Sequence, residues 1–131
     1  MPITEISTDR APRSKSPLSQ AIRFGDLLFV SGQVAADPES GQPVEGGIRE
    51  QTERVLENLN AVLEAGGSSL EDVLKTTCFL TDMADFAAFN ELYSRYFPGR
   101  RPARSTVGVA GLAGTYIVEV EAVAVIREAG R

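Results

Sequence analysis

Residues 73–97 read VLKTTCFLTDMADFAAFNELYSRYF, and the change of period within them decides the fold. Val73 to Leu80 is dense in β-branched and apolar residues, the composition of a strand buried on at least one face. After Leu80 the spacing becomes helical: Phe86, Phe89, Tyr93, Tyr96 and Phe97 fall along one stripe. Thr81 or Asp82 stands where it can cap that helix, and Pro98-Gly99 ends it. A strand passing straight into an amphipathic helix is half of a crossover connection, so the neighbouring segments must complete it.

Upstream, Ile48 to Ala65 carries Val55, Leu56, Leu59, Val62 and Leu63 on a single helical stripe, which Gly66-Gly67 stops. Ser68 to Asp72 offers capping residues for one short helical turn. Earlier still, Ala21–Phe24 and Leu27–Val30 flank Gly25-Asp26, the spacing of a two-residue hairpin with glycine first, as type II′ turns prefer. Ile3 to Ser7 is a short, weak strand, and Thr8 to Pro17, with Pro12 and Pro17, reads as loop. Downstream, Ala103–Val109 and Tyr116–Ile126 are two further strands, separated by AGLAGT at 110–115.

The order strand, hairpin, helix, strand, helix, strand, strand, without internal repeat, predicts one α+β domain over residues 1–131. Its expected form is a mixed six-stranded sheet with both helices on one face. The other face also carries apolar residues, and too little chain remains to cover it. Burial against a second copy of the molecule follows, so the chain is expected to be a homo-oligomer.

Composition narrows the chemistry. A chain of 131 residues can bury a core without disulfides, and 43% hydrophobic with 24% charged residues is ordinary for a globular protein in water. A net charge of -5 offers no general field for a polyanion, which argues against nucleic-acid binding. No apolar run approaches the roughly 20 residues that span a bilayer, and the opening MPITEISTDR lacks the apolar core of a secretory signal. Together with the lone Cys78, these features predict a cytoplasmic protein without a membrane partner. The chain has no histidine, which rules out Ser-His-Asp and Cys-His sites and removes the commonest zinc ligand. An acidic loop from Asp37 to Pro43 resembles a calcium loop only superficially, because its twelfth position is Ile48 rather than glutamate.

The residues left to do chemistry are few. In RPARSTVGV, residues 101–109, alternation puts Arg104, Thr106 and Gly108 on one face and Ser105, Val107 and Val109 on the other. In the last strand Glu119 and Glu121 share a face with Ile117 and Val123, two carboxylates inside a run that otherwise favours burial. Two readings fit equally: an arginine–glutamate pair stitching strands or subunits, or a cleft in which arginine binds a small acid and a glutamate handles a proton or water. Ser31-Gly32 at the end of the hairpin can present a hydroxyl and a backbone N–H, or simply end a strand. Cys78 reads as a core residue, Lys75 as a solvated strand lysine rather than a Schiff base, and the aromatic stripe as core rather than a base-stacking platform.

Taken together, SPLSQAIRFGDLLFVSGQ, the KTT and FLTDM of the central segment, RPARSTVGV and VEVEAVAV resemble, in order and spacing, the Rid/YjgF family of reactive-intermediate deaminases. The resemblance covers about Ser16 to Ile126. It implies a chorismate-mutase-like fold assembled as a homotrimer, sheets inward and helices outward, with ligand clefts between subunits. It also implies hydrolysis of 2-imino acids, or their enamine tautomers, to 2-oxo acids and ammonia without metal or organic cofactor. By the same resemblance, Arg104 matches the residue that clamps the substrate carboxylate, and Glu119 the one that positions the attacking water. Ser31 and Asn90 match polar residues of the cleft, and Gly32 and Thr106 match positions whose backbones contact the ligand. Leu18 stands where the family's deaminases commonly carry tyrosine, Thr106 where many carry cysteine, and AGLAGTY replaces a loop with a basic residue and a proline. These departures bear on substrate size and side-chain preference. The resulting expectation is a 2-iminobutanoate/2-iminopropanoate-type deaminase; the alternative is a noncatalytic binder of 2-oxo acids or other carboxylates using the same cleft. A ribonuclease activity, attributed to some relatives, fits the acidic, histidine-free chain least.

Overall fold

The computed structural model describes residues 1–127. Six strands and two α-helices follow one another as β1 (Ile3–Ile6), β2 (Ala21–Phe24), β3 (Leu27–Gln33), α1 (Ile48–Ala65), β4 (Val73–Leu80), α2 (Phe86–Tyr96), β5 (Ala103–Gly108) and β6 (Val118–Val125). They form a single sheet in the order β1-β2-β3-β6-β4-β5. β4 and β5 run parallel, joined through α2, and every other neighbouring pair is antiparallel. This is the α+β architecture expected from the sequence, with β5 and β1 at the two edges.

Local chemistry sets the element ends. Gly25 turns the hairpin at φ +62, and no non-glycine residue among those described has positive φ, the sign pattern of the expected II′ turn. α1 ends as a Schellman motif: Gly67 takes φ +85, its N–H donates to the Glu64 carbonyl, and Ser68 N–H donates to Leu63 O. Asp82 is the residue that caps the second helical segment, accepting from the Ala84 N–H at 2.9 Å ahead of a 3-10 turn that leads into α2. The acidic loop after β3 is a turn, with Asp37 Oδ1 accepting from the N–H groups of Glu39 and Ser40.

The core lies between the sheet and the two helices. Val118, Val120, Ala122 and Ala124 of β6 and Thr76, Cys78 and Leu80 of β4 point into it, against Val55, Leu59, Val62 and Leu63 of α1 and Phe89 and Tyr93 of α2. The contact is close: a Cβ on Gly66 would lie 2.6 Å from Leu28 Cδ2. On the opposite face none of the described residues supplies a cover. Phe24 and Phe29, each 45% exposed, and Leu27 and Val107 stand open there, an apolar face of the kind anticipated.

Five strand limits differ from the sequence reading. β3 continues past Val30 to Gln33 through a bulge, since Val30 pairs with Ala122 but Gln33 with Val120. β6 begins at Val118 rather than Tyr116, because the Ile117 N–H is taken by the Gln51 side chain of α1 at 2.9 Å. At their ends, β1, β5 and β6 each stop one residue short of the expected limit.

Candidate functional site

The β3 bulge creates one half of the site. Ser31 and Gly32 form the irregular step opposite β6, and the loop preceding β2 is tied to them: Ser31 Oγ donates to Ser19 O at 2.6 Å and Ser31 N to Gln20 O at 3.0 Å. Leu18, half exposed, sits in that loop one residue before Ser19. Glu119 lies beside the bulge, so close that a Cβ on Gly32 would stand 2.1 Å from its Oε2. A larger residue here would have to push the Glu119 carboxylate aside, a constraint of space and not of backbone conformation. Partial burial, and secondarily the neighbouring Glu121 carboxylate, raise the Glu119 proton affinity above that of an ordinary glutamate. Gln51, by holding Ile117 N–H and reaching the Thr115 carbonyl, fixes the start of the strand that carries Glu119.

The other half is built on the sheet edge. Arg104 pairs in register with Thr76 and Thr106 with Cys78, so both side chains take the helix-covered face. Arg104 Nη1 donates to Asn90 Oδ1 at 2.8 Å. Its guanidinium carbon lies over three rings of α2: Tyr93 at 4.8 Å, Phe86 at 5.6 Å and Phe89 at 5.9 Å. Of the five N–H donors of a guanidinium, Asn90 uses one, which leaves an edge able to meet a carboxylate bidentately. The Thr106 hydroxyl is buried on the same face, with no hydrogen-bond partner among the described residues. Cys78 is fully buried, and burial pushes its thiol pKa up, as suits a core residue. Lys75 lies on the open face, away from Arg104, in register with Ala103 and Val123.

Alternation along the strands thus separates the two charged groups. Arg104 and Thr106 face the helices, whereas Ser31, Gly32 and Glu119 belong to the open side, and β4 lies between β5 and β6. A cross-strand Arg104–Glu119 ion pair within one chain is excluded; the arginine's partner is Asn90. Sequence reasoning treated Phe86, Phe89 and Tyr93 only as core. The available signal was Asn90 lying within their stripe, at i+4 from Phe86 and three residues before Tyr93.

A two-helix, six-stranded domain with an arginine at one sheet edge and a half-buried glutamate on the opposite face defines a small α+β protein with a divided polar site. The family model described as Endoribonuclease L-PSP matches residues 8–126, and the chain belongs to that family, the Rid/YjgF proteins. It is 50% identical to a RutC family protein of Pyrococcus abyssi, over 91% of this chain and 94% of the relative. It is 46% identical to the 2-iminobutanoate/2-iminopropanoate deaminase of Mus musculus, over 92% and 89%. Among solved structures, a candidate endoribonuclease from Thermotoga maritima superposes with a TM-score of 0.92 at 54% identity, covering 95% of this chain and 98% of that one.

Proposed function

We propose that this chain is a deaminase of 2-imino acids and their enamine tautomers, working without a cofactor in clefts between the subunits of a homotrimer. The observation that carries the reading is the presence, on opposite sheet faces of one chain, of an Arg104 guanidinium edge held by Asn90 and a glutamate of raised proton affinity at Glu119. The similarity to a mouse protein named 2-iminobutanoate/2-iminopropanoate deaminase supplies the substrate class.

The chemistry needs little machinery. In a protonated 2-imino acid, C2 is already electrophilic, so the barrier is met mainly by orientation and by a placed water. Arg104 holds the carboxylate in two parallel hydrogen bonds, while Gly32, lacking a side chain, leaves room for the substrate and Glu119 to approach. Glu119 takes a proton from the water as its oxygen adds to C2, giving a tetrahedral carbinolamine. It then returns that proton to nitrogen, ammonia leaves, and the carbinolamine hydroxyl gives its proton back to the Glu119 carboxylate as the C2–O bond becomes a carbonyl; that proton finally leaves with the ammonia as ammonium. A carboxylate whose pKa is raised performs these transfers better than one held in a salt bridge.

Because Arg104 and Glu119 of one chain occupy opposite sheet faces, each cleft takes its arginine from one subunit and its glutamate from another. The exposed Phe24, Leu27, Phe29 and Val107 supply the apolar face against which the copies pack. The decisive experiment generates 2-iminopropionate and larger imino acids enzymatically and follows their disappearance with purified protein. Acceleration over buffer that is lost in Arg104→Ala, with the trimer intact, is the expected result. Unchanged decay across several side chains removes the deaminase reading, and 2-oxo acid binding without imine turnover replaces it with a carboxylate-binding role.

A further inference from the structure

A single hydrogen bond does not orient a guanidinium. With only Asn90 attached, the Arg104 plane is free to rotate about that contact, and a bidentate carboxylate needs the plane fixed. The second restraint comes from α2, whose residues Phe86, Asn90 and Tyr93 fall on one face at i, i+4 and i+7. Tyr93 brings its ring closest to the guanidinium, at 4.8 Å from centroid to carbon. The ring is itself fixed at both ends. Its hydroxyl lies 2.7 Å from Thr76 Oγ1, and Thr76 is the register partner of Arg104. Its body packs on Phe97 at 4.6 Å and Phe89 at 5.6 Å, and the residue is 5% exposed. Burial also raises the phenol pKa, so the ring next to the arginine stays neutral and competes for it only through its face.

We propose that Tyr93 is a positioning residue for Arg104, its ring face setting the plane of the guanidinium so that the edge not used by Asn90 is presented to a planar carboxylate. The proposal takes the identity of that carboxylate, a 2-imino or 2-oxo acid, from the deaminase reading above; the positioning itself does not depend on it. Tyr93→Phe keeps the ring and removes the hydroxyl; Tyr93→Leu removes the ring while keeping much of the apolar bulk, and Tyr93→Met replaces it if the leucine variant does not fold.

Two measurements are needed on each: the crystallographic position of Arg104, and titration with 2-oxobutanoate alongside imine turnover. In Tyr93→Phe the Arg104–Asn90 contact is retained and 2-oxobutanoate affinity stays within about 2-fold of wild type. In the leucine or methionine variant that contact is lost. Affinity falls and KM rises by about 10-fold, while kcat changes far less. An unmoved Arg104 in the ring-free variant overturns the proposal, as does a loss in Tyr93→Phe as large as that in Tyr93→Leu, which assigns the effect to the hydroxyl and the core. A wild type that neither binds 2-oxobutanoate nor consumes the imine refutes the deaminase reading alone, and the Arg104 position in the variants still decides the role of Tyr93.

Discussion

Gly32 and Glu119 are so closely apposed that the smallest side chain at position 32 would stand 2.1 Å from the carboxylate oxygen. The strand on which Gly32 lies is bulged at this point, so the close approach belongs to an irregular segment and not to a regular ladder. Gly32→Ala is therefore expected to displace the Glu119 carboxylate. Displacement of order 1 Å at a reacting group costs about 100-fold in turnover. Thermal denaturation should move little, since Gly32 is partly exposed and its φ is accessible to alanine. Steady-state kinetics beside a melting curve separates these effects; a fully active Gly32→Ala enzyme removes Glu119 from the proposed chemistry.

The division of Arg104 and Glu119 between opposite sheet faces has a quantitative consequence. Arg104→Ala and Glu119→Gln should each be inactive alone. If every cleft joins the arginine of one subunit to the glutamate of another, equal mixing with subunit exchange recovers about a quarter of wild-type activity, because one cleft in four receives both intact groups. A site within one chain recovers none. Turnover of the mixed, refolded protein against the two unmixed variants is the measurement.

The sequence exposed much of this arrangement and concealed a definable remainder. Periodicity found both helices, the hairpin and β4 at Val73–Leu80, since each is specified by its own residues. It stopped β3 at Val30 because Ser31-Gly32 carries turn chemistry; the strand continues only because β6, about 90 residues later, pairs across the bulge. It began β6 too early because the Gln51 side chain, on a different element, claims the Ile117 N–H. Alternation separated Arg104 from Val107, yet it carries no information on which face the helices cover. The ring contact between Tyr93 and Arg104 is likewise a product of tertiary placement, joining positions on α2 and β5 that no local pattern relates.

Phe29 tests the cover of the open face. It pairs with Ile22 on one side and Val123 on the other, in the middle of an apolar face, and remains 45% exposed in the single chain. Phe29→Asp places a charge where a second copy is expected to pack, an unpaired burial that costs several kcal/mol. The variant should sediment as a folded monomer and lose imine turnover, although it changes none of Arg104, Asn90, Ser31 or Glu119. An active trimer carrying this substitution would falsify the assignment of the open face to subunit contact.

Under the proposed mechanism, Glu119 ties activity and stability to pH in opposite senses. Its folded pKa is raised, by partial burial first and by Glu121 second, above the ordinary glutamate value of 4.5. A group raised in this way binds protons more tightly in the folded than in the unfolded chain. Its contribution to stability is therefore fully present below about 4.5 and is lost as pH rises through the folded value. Catalysis by the carboxylate runs the other way, increasing as the group ionises over the same interval. Glu119→Gln removes the ionisation while keeping the side chain's size. It should be inactive at all pH values and more resistant to heat than wild type at pH 7, with that advantage shrinking as pH falls below the raised pKa. Melting curves from pH 4 to pH 8 on both proteins read the difference directly. A stability gap that does not change with pH places the perturbed proton on another group and leaves Glu119 with an ordinary carboxylate.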